Sequence, residues 1–192
     1  MAANLDAVAE RAGVAKGTFF VHFKTKEAIV VALVQKQIAA ASAARDAVLA
    51  TGGTAVDRLE VATLTLGAQA ASNIELSRAV LVASLESREV GGATDAVFTQ
   101  LQTRMIEDAR EGLAKGLLHG PDAETIASLL LACYLGAALH CASAPTAKPL
   151  NDVLRPLVSA TIAALTSSAA AKTKAKTKSR KNTTDRRRGG AK

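Results

Sequence analysis

Three features of the sequence predict an all-α fold. The chain leans on Ala and Leu and holds one Tyr, four Phe and no Trp, so the β-branched and aromatic runs that build strands are scarce. Apolar residues recur at three- and four-residue spacing through most of its length. Most of these periodic segments follow a Ser, Thr, Asp or Asn and stop near a Gly or Pro, which are helix start and stop signals. At 192 residues, one compact domain or a small domain fused to a larger one can bury a sizeable core.

The elements follow in order. Leu5, Val8, Ala9 and Ala12 form one face of a short helix capped by Asn4 and closed by Gly13, and a second short helix runs from about Lys16 to Phe23. Thr25 caps a long helix from Lys26 to about Ala50, with Glu27 in its positively polarised first turn and Gly52-Gly53 beyond its end. Thr54, with Asp57 three residues on, opens a helix to about Ala71, and Asn73 opens another to about Ser87. Gly91-Gly92 reads as a break, after which Thr94 caps a helix from Asp95 to about Leu117. Asp122 opens a helix from Ala123 to about Ser143 that is apolar nearly all round. Pro145 and Pro149 precede a last helix from Leu150 to Leu165, in which Pro156 predicts a kink or a restart.

The net charge of +7 divides unevenly. From Ala169 to Lys192 there are ten Lys and Arg against one Asp, while the rest of the chain is slightly acidic. A disordered basic tail over 168–192 is expected, able to attract polyanions whatever their sequence. The body does not advertise nucleic-acid binding by its overall field, so that function has to be carried by local residues. Ile126 to Ala144 lacks Asp, Glu, Lys and Arg and is just long enough to span a bilayer. Its small residues, with Ser128, His140 and Ser143, read better as a helix buried on two sides, so no membrane is expected as a partner. Cys133 and Cys141 are too far apart on one helix to bridge, which fits reduced thiols in a cytoplasmic protein. Cys133 and His140 share a helix face but match no common zinc spacing, and no nucleophile, base or phosphate-loop constellation occurs. Neither a metal, nor another cofactor, nor an enzyme activity is expected.

The segment LDAVAERAGVAKGTFFVHFKTKEAIVVAL, Leu5 to Leu33, closely resembles the DNA-binding segment of tetracycline-repressor family regulators. The alanine-rich positioning helix, the AGV turn, the KGTFF recognition helix, the His-Phe pair and the Lys-Glu-Ala start of the linking helix occur in order and at the family's spacing. At about 100° per residue, Phe19 and Phe23 turn inward while Gly17, Thr18 and Val21 share the outward face. The resemblance implies that this face meets the major groove of double-stranded DNA. Gly17 permits close approach, Thr18 hydrogen-bonds a base or phosphate, and Val21 packs on a thymine methyl. Lys16, His22 and Lys26 flank it at positions suited to phosphates.

Three departures from the family pattern are expected to weaken DNA binding. Phe20 stands where a Tyr usually reaches a phosphate, although its position keeps it among the DNA-facing residues. Ala15 replaces a capping Ser or Thr, at a cost of roughly 1 kcal/mol. The family's first helix, which lies further upstream, is not included in this chain, so the helix-turn-helix reads as incomplete.

The implied architecture is an incomplete helix-turn-helix domain over 1–35, joined by a long helix to a helical ligand-binding and dimerisation domain over 36–167. By the same resemblance the last two helices form a homodimer interface, with Leu131, Leu135, Leu139, Leu157 and Ile162 as its apolar contacts. Twofold pairing then sets two recognition helices about one DNA turn apart, for a palindromic operator. An effector cavity lies among the helices from Val56 to Leu117, with Leu64, Gln69, Asn73, Phe98, Leu101 and Met105 as candidate lining, and the scarcity of charge there implies an uncharged or apolar effector. The function expected is a ligand-responsive repressor. The alternative is a dimeric ligand-binding or interaction protein that holds nucleic acid only through its tail.

Overall fold

The computed structural model describes residues 25–72, 74–86, 88–143 and 148–167, and these form six helices with no strand. They are α1 (Lys26–Ala50), α2 (Ala55–Ala71), α3 (Ile74–Glu86), α4 (Arg88–Ala114), α5 (Ala123–Ser143) and α6 (Leu150–Thr166). The two short helices expected before Thr25, and the tail from residue 168, lie outside the described residues.

Thr25 caps α1 by accepting from the Ala28 amide at 3.2 Å. Val34, Ile38, Ala41 and Arg45 then recur along its inner face and are buried. After Thr51, Gly52 adopts φ +77°, a left-handed conformation that lets its amide and that of Gly53 close on the Leu49 and Val48 carbonyls. The capping box expected at the start of α2 is present: the Thr54 hydroxyl accepts from the Asp57 amide, and the Asp57 carboxylate accepts from the Thr54 amide at 2.8 Å. Asp57 is held below the usual carboxylate range by these bonds to Thr54.

α2 is the hub of the bundle, packing against all five other helices. Its inward positions include Leu59, Ala62, Leu66 and Gly67. A Cβ at Gly67 would stand 2.3 Å from a methyl carbon of Leu154, so the bare backbone admits α6 to close range. Leu101 and Met105 of α4, Ile126 and Leu130 of α5 and Leu154 of α6 complete a continuous core.

One expectation is corrected and a second is narrowed. The helix predicted to begin at Asp95 begins at Arg88 and runs straight through Gly91-Gly92, ending at Ala114. Thr94 is therefore no cap but a buried helical residue whose hydroxyl donates to the Val90 carbonyl at 2.9 Å. The glycine serves packing: a Cβ at Gly91 would lie 2.8 Å from the Ser84 carbonyl oxygen of α3. Of the kink or restart expected at Pro156, the restart is absent, since Pro156 sits inside one uninterrupted helix. Pro156 and Asp152 are both exposed, so the carbonyl that loses its donor is open to water.

Candidate ligand cavity and its linking helix

A cavity of about 600 Å³ opens between α1, α3, α4 and α5, within the range that holds a small organic ligand. Each helix presents one stripe to it. α3 contributes Ser77, Val80, Leu81 and Ser84; α4 contributes Gly91, Thr94, Asp95, Phe98 and Gln102. α5 lines it from Ser128 to Leu139 at the same three- and four-residue spacing. α1 reaches it with Val34 and Gln37, roughly 12 to 17 Å along the helix from its start at Lys26.

The wall is largely apolar, and among the described residues that line it Asp95 is the one carboxylate and there is no Lys, Arg or His. Phe98 and Tyr134 meet at a ring-centroid distance of 6.3 Å, tilted by 36°. Tyr134 is buried, and burial pushes its phenol up to about 12, so it remains a neutral donor across the physiological range. Gln102 of α4 reaches the Ser128 hydroxyl of α5 at 3.4 Å, and Thr94 lies 3.4 Å from Ser84 on the α3 side.

Of the residues expected to line an effector cavity, Phe98 does so. Leu101 and Met105 belong to the adjacent, fully buried stripe of α4 and pack in the core. Leu64 and Gln69 are half-buried on α2, which contributes no lining residue, and Asn73 lies outside the described residues. Val34, Gln37 and the α5 stripe are lining residues that the sequence does not single out. The apolar run 126–144 is a visible signal for the last of these, but in the sequence it reads as a dimer face.

Beyond the cavity α1 is anchored by ions. Asp108 of α4, buried, accepts from Arg45 Nε at 2.7 Å and Nη2 at 2.8 Å, and from Arg58 Nε of α2 at 2.7 Å. Arg58 also donates to the Gly53 carbonyl at 3.0 Å and to Glu111 at 2.5 Å. The bond to Asp108 holds the Arg45 guanidinium above its ordinary value, and Lys115 holds Glu111 below the usual carboxylate range. One carboxylate thus ties three helices, fixing the far half of α1 while its near half passes over the cavity.

Leu135 and Leu139 of α5 and Leu157 of α6 are exposed, with Leu129 beside them in sequence on α5. Leu131 is buried in its own chain and lines the cavity, and Ile162 is half-buried against the core. α5 and the segment Ala28–Ala50 are each long and apolar enough to cross a membrane, and ten residues of α5 are buried in the bundle. Cys133 and Cys141 are both free thiols, the buried Cys141 pushed up by desolvation. Among the described residues, no three His, Cys, Asp or Glu side chains gather at metal-binding spacing. Of the residues expected to meet DNA, Lys16, Gly17, Thr18, Phe20, Val21 and His22 lie outside the described residues, and Lys26 is the first residue of α1.

Comparison with known proteins bears on both parts of the chain. Residues 2–33 match the family of bacterial regulatory proteins known as the tetR family. No curated protein matches the chain by sequence. Among solved structures, the fatty acid degradation regulator FadR from Bacillus halodurans is similar at a TM-score of 0.70 and 18% identity, over 85% of this chain and 89% of that one. The transcriptional regulator FadR from Bacillus subtilis, solved with stearoyl-CoA, is similar at 0.67 and 17%, over 83% and 87%. The TetR family transcriptional regulator PfmR from Thermus thermophilus is similar at 0.61 and 16%, over 84% and 88%. Over residues 2–33 this chain is thus similar to the tetR family of bacterial regulatory proteins, and its helical body has the fold of the solved structures named above.

Proposed function

We propose that the protein is a ligand-responsive repressor that binds a palindromic operator as a homodimer in the cytoplasm. The observation that carries this reading is one helix with two neighbours. α1 continues directly from the family's DNA-binding segment, and Val34 and Gln37 on the same helix form part of the wall of an apolar cavity. An occupant that touches these two side chains favours some positions of α1 over others. With the Arg45 end held by Asp108, the resulting movement is directed toward the N-terminal end. The effector changes DNA affinity only as far as it binds one arrangement better than the other. The Bacillus subtilis neighbour was solved with stearoyl-CoA, which makes compounds with an apolar chain the first class to test here.

DNA contact is assigned to Lys16, Gly17, Thr18, Phe20, Val21, His22 and Lys26, and the basic tail adds contacts that do not depend on sequence. The two contributions separate in one experiment. DNA selected by the full chain from a random pool should be discriminated less well after Thr18→Ala or Val21→Ala. Deleting residues 169–192 should weaken binding to every sequence alike and flatten its salt dependence, by a little under one logarithmic unit for each phosphate no longer neutralised. If both kinds of change weaken all sequences equally, the repressor reading fails, and the protein holds nucleic acid through its tail alone.

A further inference from the structure

Tyr134 stands out among the residues around the cavity. It is 5% exposed, it lines the wall, and its hydroxyl has no hydrogen-bond partner among the described residues. Every fully enclosed side-chain polar atom among those residues is paired, so the Tyr134 oxygen keeps some accessible surface. A hydroxyl in so apolar a setting gains from a partner that enters the cavity, because leaving it unpaired forfeits a bond that water would otherwise supply.

The charge pattern narrows the partner. Among the described residues that line the cavity there is no Lys, Arg or His to meet a carboxylate or phosphate, and their one acidic side chain, the exposed Asp95, opposes an anion. Desolvating an anion without a counter-charge is costly. A neutral carbonyl oxygen leaves water at far smaller cost and accepts from the phenol directly.

We propose that the cavity takes an uncharged amphiphile, an apolar chain bearing one carbonyl oxygen that accepts a hydrogen bond from Tyr134. Val80, Phe98 and Leu135 contact the chain. The proposal deepens the reading of this cavity as the effector site, and rests on it.

Tyr134 is the only tyrosine and there is no tryptophan, so the protein's fluorescence reports on this one side chain. The full chain is titrated with methyl decanoate, decanoate, decylammonium and decanoyl-CoA, by Tyr134 emission and by calorimetry. Methyl decanoate should bind at least tenfold more tightly than the other three and perturb the emission. Tyr134→Phe should lower its affinity roughly five- to tenfold, the size of one net hydrogen bond, while leaving decylammonium unchanged. Tighter binding by decanoate or decanoyl-CoA overturns the proposal, and tighter binding by decylammonium hands the polar contact to Asp95 and overturns it too. An ester affinity indifferent to Tyr134→Phe does the same. If the variant fails to fold, the order of the four ligands on the unaltered protein still decides. Repeating the titrations with selected DNA present separates the two readings. Ester binding through Tyr134 with no change in DNA affinity sinks the effector reading and leaves the ligand assignment standing. DNA release by decanoyl-CoA but not by the ester does the opposite.

Discussion

At the scale of single residues, the ion network and the exposed ion pairs illustrate how burial sets the worth of a charge. Asp108 and Arg58 are each only 2% exposed, and Arg45 also donates to this carboxylate. Replacing Asp108 by Asn keeps the shape but removes the buried counter-charge that two guanidiniums share, leaving Arg58 only the half-exposed Glu111 and Arg45 only the exposed Asp46 at 2.8 Å, which should cost about 3 kcal/mol in urea unfolding. Arg110 pairs with Glu124 at 2.9 Å with both side chains more than half exposed, and Arg110→Ala should cost under about 1 kcal/mol. Equal unfolding midpoints for the two variants would show that Asp108 anchors nothing. None of this is visible in the sequence, because Arg45 and Asp108 stand 63 positions apart and either alone reads as a solvated charge.

At the scale of elements, the helices announce themselves by their caps more reliably than by their glycines. Thr25, Thr54 and Asp122 each accept from a backbone amide three residues on, where the sequence places them as caps. Gly91-Gly92 misleads, since a glycine pair has the same appearance whether it breaks a helix or lets another backbone approach. The two glycines now separate. A Cβ at Gly91 meets the Ser84 carbonyl at 2.8 Å, whereas a Cβ at Gly92 meets nothing within 4 Å. Gly91→Ala should therefore destabilise by about 1 to 3 kcal/mol as α3 is pushed off α4. Gly92→Ala should stabilise by about 0.5 to 1 kcal/mol through helix propensity alone. Thermal unfolding of the pair checks both signs, and a stabilising Gly91→Ala would mean that the α3–α4 approach is looser than described.

At the scale of the whole molecule, the open question is what covers the exposed leucines of α5 and α6. Leu157 is 44% exposed and takes no part in lining the cavity, which makes it the cleaner probe of a dimer interface. The unaltered protein should sediment at twice its 19.7 kDa at micromolar concentration, and Leu157→Arg should yield monomer with the cavity intact. A monomeric unaltered protein removes the dimer from the proposed function. What the sequence by itself determined is local: the helical class, the caps at Thr25, Thr54 and Asp122, most helix bounds, and the family resemblance of residues 2–33, all of which depend on residues close to one another in the chain. The tertiary structure alone decided which of two adjacent stripes on α4 faces a cavity and which fills the core. It also decided that Val34 and Gln37 share that cavity with Tyr134, and that one buried carboxylate ties three helices. The reason is geometric. Neighbouring positions of a helix differ by about 100°, and both stripes carry large apolar side chains, Phe98 on one and Leu101 and Met105 on the other, so the packing of other helices determines which of these is left facing open space.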